Sequence, residues 1–131
     1  MYNSKQRKQL VLVTVQLNYS LGQWLHMDIK ELMLRFNFSV QLSNILLASN
    51  FERLEDILLF SRKGFANGTG LTTEEFEKLT KKKKNRILYL EYRYKIKLVN
   101  PDKPLNRNLG KVGMKELDIM LTKLGLKWRG E

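Results

Sequence analysis

Lysines, arginines and glycine turns are the residues of this 131-residue sequence whose types and spacing could do chemistry, and that chemistry is the holding of phosphate. Lys81, Lys82, Lys83 and Lys84 run consecutively into Asn85 and Arg86, a pattern open to a solvated helix end and to a phosphate-contacting cluster alike. Arg93, Lys95 and Lys97 recur at every second position beside Tyr92 and Tyr94. Such tyrosines can be platforms for unpaired bases, but packing into a core accounts for them more simply, which leaves the cations as the contacts. The third group is Asn108-Leu109-Gly110-Lys111-Val112-Gly113, whose two glycines let the backbone turn sharply and come close to a partner while the amides of the next helix face outward. Glycine turns of this kind hold a phosphate on N–H groups at the positive end of a helix; a plain helix–loop–helix corner is the alternative.

Composition points the same way. Lys and Arg number 24 against 13 Asp and Glu, a net charge of +11, which favours a polyanionic partner such as DNA, RNA or an acidic surface. No apolar run reaches the roughly 20 residues that span a bilayer, so the expectation is a soluble, intracellular protein without a membrane partner. Cysteine is absent and His26 is the sole histidine, with no ligand partners at metal spacing, so neither a metal site nor a cofactor is expected. Paired carboxylates in a recognisable frame, a nucleophile–base spacing and a Gly-Lys-Ser phosphate loop are all missing, and an enzyme is not expected.

The elements that must position these groups follow from periodicity. From Met114, the residues Leu117, Met120, Leu121 and Leu124 recur at spacings of three and four, predicting an amphipathic helix that stops at a left-handed Gly125, with Leu126 folding back on Leu121. Ser39 is a suitable N-cap for a helix over Val40–Ala48, Asn50 for its left-handed close, and Phe51 for a return to the core ahead of a shorter helix through Leu54, Ile57 and Leu58. Residues 23–34 predict a short helix using Trp24, Met27 and Leu32. Residues 64–70 read as a loop, and Thr72 or Thr73 as the cap of a short acidic-fronted helix. Met1–Gln9 is a basic arm, and Leu10–Leu17 alternates like a strand. In 86–99, Leu88, Leu90, Tyr92, Tyr94, Ile96 and Leu98 form an unbroken alternate row, which predicts a long strand; a helix using Ile87, Leu90, Tyr94 and Leu98 is the other reading. The expected class is therefore α+β, mainly α, with a two-stranded β ribbon (about 10–17 and 87–99) appended to helices. The residues after Trp128 read as a short exposed tail.

Two segments, 36–61 and 105–128, together resemble the C-terminal domain of the bacterial-type RNA polymerase α subunit. The resemblance rests on Phe38-Ser39-Val40-Gln41-Leu42-Ser43-Asn44, on Asn50-Phe51-Glu52-Arg53-Leu54-Glu55-Asp56-Ile57-Leu58, and on Asn108-Leu109-Gly110-Lys111-Val112-Gly113-Met114 with Leu124-Gly125-Leu126 at the end. It covers roughly fifty residues in the family's order. It implies one compact domain with two helix-hairpin-helix elements that meets the DNA minor groove and contacts transcription factors, with 10–35 as an N-terminal strand and helix and 62–104 as an insertion. Carried over by position, it implies DNA-facing roles for Gln41, Asn44, Ile45, Gly110, Val112, Gly113 and Glu116. Gln41 stands where the family has an arginine, Val112 where it has a lysine and Gly113 where it has a serine, so two cationic contacts are missing at this face.

The expected function is nucleic-acid binding of this type in transcription, through Asn44, Gln41, Gly110, Lys111 and Gly113, with Lys81–Lys84, Arg93, Lys95 and Lys97 standing in for the missing cations. Duplex DNA is the favoured partner and RNA the second, with RNA polymerase or a transcription factor as a protein partner. Two alternatives stand beside it: a structural RNA-binding protein of a ribosome, and a protein-interaction module without nucleic acid.

Overall fold

The structure is a computed structural model that describes residues 19–106 and 109–131. The predicted arm and first strand, and Asn108 of the glycine turn, lie outside the described residues. Eight helices make up the described chain: α1 (Leu21–Leu25), α2 (Ile29–Phe36), α3 (Val40–Ala48), α4 (Leu54–Ile57), α5 (Arg62–Asn67), α6 (Thr73–Glu77), α7 (Lys81–Tyr94) and α8 (Lys111–Leu124).

Their ends are set by local chemistry. Ser20, Asp28, Ser39, Ser61, Thr72 and Thr80 each accept a first-turn amide proton at the starts of α1, α2, α3, α5, α6 and α7, removing orphan donors that would otherwise oppose helix formation. Asn37 closes α2 in the left-handed region, and Asn50 takes the same conformation just beyond α3. Gly125 (φ 70°) closes α8, with the Leu126 amide donating to the Leu121 carbonyl at 2.8 Å, the six-to-one bond of a Schellman close.

Three expected elements are corrected. The strand at 87–99 is instead α7 and the turn after it, and no sheet exists among the described residues, which hold only two isolated bridges, Asp28 with Arg53 and Leu71 with Val99. The predicted β ribbon therefore has no second strand. Helix wins here because Thr80 caps its start and because Ile87 and Leu90, three apart, are fully buried with Tyr94 half-buried four further on, while Leu88 and Tyr92 of the alternating row stay exposed. Leu98 reaches the core from an irregular segment held by Glu91, whose carboxylate accepts the Leu98 amide proton at 2.8 Å.

The helix predicted over 23–34 is two helices. The chain opens at Met27–Asp28 because the Leu54 amide donates to the Met27 carbonyl (3.1 Å) and the Ile29 amide to the Glu52 carbonyl (3.0 Å), stitching this corner to the start of α4. The loop predicted over 64–70 begins as part of α5, which Gly68 ends at φ 67°. Gly70 is where glycine is required: its φ is +65°, and a Cβ there would collide with the Leu98 carbonyl oxygen.

All of these helices share one core. Trp24, Leu32, Leu42, Leu46, Leu54, Phe60, Phe65, Ile87, Leu90, Leu117 and Leu121 are all buried in one contiguous cluster, so α7 contributes to the same interior as the helices around it. Phe51, Phe60, Phe65 and Trp128 form a chain of ring contacts with centroids 5.4–6.3 Å apart through its centre. The predicted exposed tail is also corrected: Arg129 is half-buried, donating to the Leu59 carbonyl at 3.1 Å and pairing with Glu75.

Candidate nucleic-acid interface

The starts of α3 and α8 are drawn together by one carboxylate. Glu116, on the second turn of α8, accepts the backbone N–H of Ser39 at 2.8 Å and its hydroxyl at 2.7 Å, although 77 positions separate them in the chain. Ser39 Oγ in turn accepts the Leu42 amide proton at 3.3 Å. The negative charge of Glu116 thus sits at the positive end of α3, where the helix dipole favours it. Around this brace the predicted residues assemble: Gln41 and Asn44 are exposed on α3, and Gly110 and Lys111 are exposed at the start of α8. Gly113 is half-buried, and a Cβ there would meet the Leu109 side chain at 3.1 Å and Leu42 at 3.8 Å. Its role is close packing of α8 on α3, which the sequence pattern alone did not reveal.

Gly110 differs. Its backbone is extended (φ −61°, ψ 169°), and among the described residues a Cβ there would touch nothing within 4 Å. Among the described residues no side chain caps the first turn of α8, and its leading amides keep their donors. Val40 and Val112 stand out at these two helix starts with 77% and 71% of their surfaces exposed.

The remaining predicted cations lie on other elements. Lys81, Lys82 and Lys83 are exposed in the first turn of α7, whereas Lys84 is half-buried, lies 3.5 Å from Glu77 and stands over the Phe76 ring. Arg93, Lys95 and Lys97 are exposed at the far end of α7 and beyond it, with Arg93 at 3.5 Å from Glu52 and Lys97 at 3.8 Å from Asp102. No hydrogen bond or ion pair among the described residues joins these cations to the α3–α8 corner. The structure therefore collects Gln41, Asn44, Gly110, Lys111 and Gly113 at one corner and leaves the α7 cations as a separate group.

Behind α7 lies an ionic network that the sequence did not signal. Asp56 is fully buried; its Oδ2 accepts the amide protons of Glu52 and Arg53 at 3.0 Å each, and Arg86 donates to both of its oxygens at 2.7 and 2.9 Å. Arg86 also donates to Glu52 at 3.0 Å, and the Tyr94 hydroxyl donates to the other Glu52 oxygen at 2.5 Å. The hydrogen bond to Asp56 raises the Arg86 pKa further above its already high value. At Glu52, burial favours the neutral acid, but bonds from Tyr94 and Arg86 outweigh it and hold the carboxyl below its ordinary value. Nε and Nη2 of Arg86, both Asp56 oxygens and both Glu52 oxygens are used structurally. His26 is exposed, its Nδ1 lying 3.7 Å from Glu55, and no group of three metal-ligating side chains exists among the described residues. No helix among them is long and apolar enough to cross a membrane.

Comparison of the chain with protein-family models, curated protein sequences and solved structures found no match.

Proposed function

We propose that the protein is a nucleic-acid-binding module of the RNA polymerase α C-terminal-domain type, acting in transcription through the corner where α3 and α8 begin. The observation that carries this reading is the Glu116–Ser39 brace, which sets two helix starts side by side. With it come an extended Gly110 that is open among the described residues and leading α8 amides that no described side chain caps. Phosphate oxygens suit such amides, and Asn44 and Gln41 are exposed hydrogen-bonding side chains for a groove edge. The lysines of the chain supply the long-range attraction.

Gly110→Asp is the informative variant. Aspartate is a good N-cap and no described residue crowds the site, so the fold is expected to be retained or slightly strengthened, while a carboxylate now occupies the phosphate position. Binding to matched duplex DNA and structured RNA is measured by fluorescence anisotropy over a salt series, with Asn44→Ala alongside. The reading expects duplex affinity to fall at least tenfold in Gly110→Asp with circular dichroism unchanged. Undiminished duplex binding in that variant, or a strong RNA preference sensitive only to Lys81–Lys84, would refute it.

A further inference from the structure

The outward face of α7 carries side chains that the core does not explain. Lys81, Asn85, Leu88 and Tyr92 follow one another at spacings of four, three and four, so they line one stripe of the helix surface, with Tyr89 and Lys82 on its flank and Lys95 as the left-handed C-cap just beyond Tyr94. Tyr92 is 87% exposed, Leu88 53% and Tyr89 42%. The opposite face, with Ile87 and Leu90, is spent on the core, so this stripe is free of packing duties. Lysines stand at both ends, about 20 Å apart at 1.5 Å per residue, and make no ion pair among the described residues. The acidic side chain of α7, Glu91, is turned away to hold the amides of Leu98 and Val99. From Lys81 to Lys97 there are eight cations and one carboxylate.

We propose that this stripe binds single-stranded nucleic acid, with Tyr92 stacked on a base, Leu88 and Tyr89 beside it, and Lys81, Lys82 and Lys95 on the phosphates. The charge is complementary to a polyanion, and the exposed ring answers the part of that polyanion which is flat and apolar. Duplexes hide their base faces in the stack, so an unpaired strand is the form that satisfies both. An anionic membrane suits it less well. Its apolar line is only three side chains, Leu88, Tyr89 and Tyr92, and is bounded by Asn85, while the broad apolar face that would enter a lipid interface is already inside the protein. The stripe is independent of the α3–α8 corner, because different elements build it.

The test uses the full chain and fluorescein-labelled twelve-nucleotide RNA and DNA single strands, their duplexes, and phosphatidylserine-containing vesicles, with polyglutamate as competitor. Tyr92→Ala is expected to weaken single-strand binding about tenfold without changing the salt slope, and Tyr92→Phe to retain it. The triple variant Lys81→Gln, Lys82→Gln, Lys95→Gln is expected to weaken binding and flatten the salt slope by about 0.7 for each phosphate no longer neutralised. RNA against DNA strands then identifies which source is preferred. The proposal is overturned if Tyr92→Ala binds like the parent or if duplex matches single strand in the Gly110→Asp background. It is equally overturned if polyglutamate displaces the strand as well as unlabelled strand does, or if vesicles bind while strands do not. Tyr92 is exposed and makes no side-chain bond among the described residues, so its variants keep the fold.

Discussion

Arg86→Met is the substitution whose outcome is most fully determined by the structure. It preserves an unbranched stem of similar reach but removes the fork that meets Asp56 at 2.7 and 2.9 Å and Glu52 at 3.0 Å. Asp56 remains fully buried, with two backbone amides as its remaining donors among the described residues. Breaking a buried pair from one side typically costs 3–5 kcal/mol. The two amide bonds that survive, and the partial exposure of Glu52 at 24%, put the expectation at the lower end, about 3 kcal/mol. For a chain of this length, about 3–4 °C of melting temperature accompanies each kcal/mol, so the transition falls by roughly 10 °C. Thermal unfolding followed by circular dichroism reads this directly. Adding Asp56→Asn to Arg86→Met removes the orphaned charge, and the double variant is expected to be destabilised by less than the sum of the singles. A melting temperature within about 2 °C of the parent for Arg86→Met, or strict additivity, would refute the view that the fork neutralises a buried charge.

Three further outcomes are expected. Gly70→Ala combines a left-handed backbone with a Cβ driven into the Leu98 carbonyl oxygen and is expected to cost more than about 2 kcal/mol, whereas Gly110→Ala, with no described residue within 4 Å of the added Cβ, stays within about 0.5 kcal/mol by urea denaturation. Glu116→Ala frees the Ser39 N–H and hydroxyl and is expected to cost about 1.5 kcal/mol, lowering the melting temperature by roughly 5 °C. Asp118 is held below its ordinary pKa chiefly by the bond from Arg62, with Trp128 also donating, so its contribution is present above the unfolded-state value and lost as pH falls through the lower folded one. The acid limb of the stability curve, below about pH 4, is therefore expected to flatten in Arg62→Gln, with stability at neutral pH reduced and the difference between the two proteins shrinking as pH falls.

What could be read from the sequence divides by the range of the forces involved. The α3 helix, its Ser39 cap, the left-handed Asn50 and the Schellman close at Gly125 follow from neighbours within five residues, and all four are present. At α7 two periodicities overlapped: Leu90, Tyr94 and Leu98 belong both to an alternate row and to a helical face. The tie is broken by Thr80, whose hydroxyl accepts the Lys83 amide proton, a signal lying ahead of the apolar row. The apolar character of the exposed Leu88 and Tyr92 is what made the segment look like a strand. The break at Met27–Asp28 depends on bonds to residues 52–54, and the Glu116–Ser39 brace spans 77 positions; neither leaves a local trace. Of the candidate residues, the corner set is brought together and the α7 cations stand apart, a division visible only once α7 is known to be a helix.

The segment between α5 and α8 invites removal. The Leu105 amide donates to the Gly68 carbonyl at 2.9 Å, so its two ends already touch, and a chain rejoined there would run from α5 toward α8 with little backbone adjustment. Yet the excised piece would take Ile87, Leu90 and Leu98 out of the core and Arg86 away from Asp56. Geometry marks residues 69–104 as a detachable loop, while electrostatics makes the rest of the protein dependent on them. A shortened chain would leave the buried Asp56 without its cation and the core without those three side chains, so what runs as an excursion of the chain has become part of its foundation.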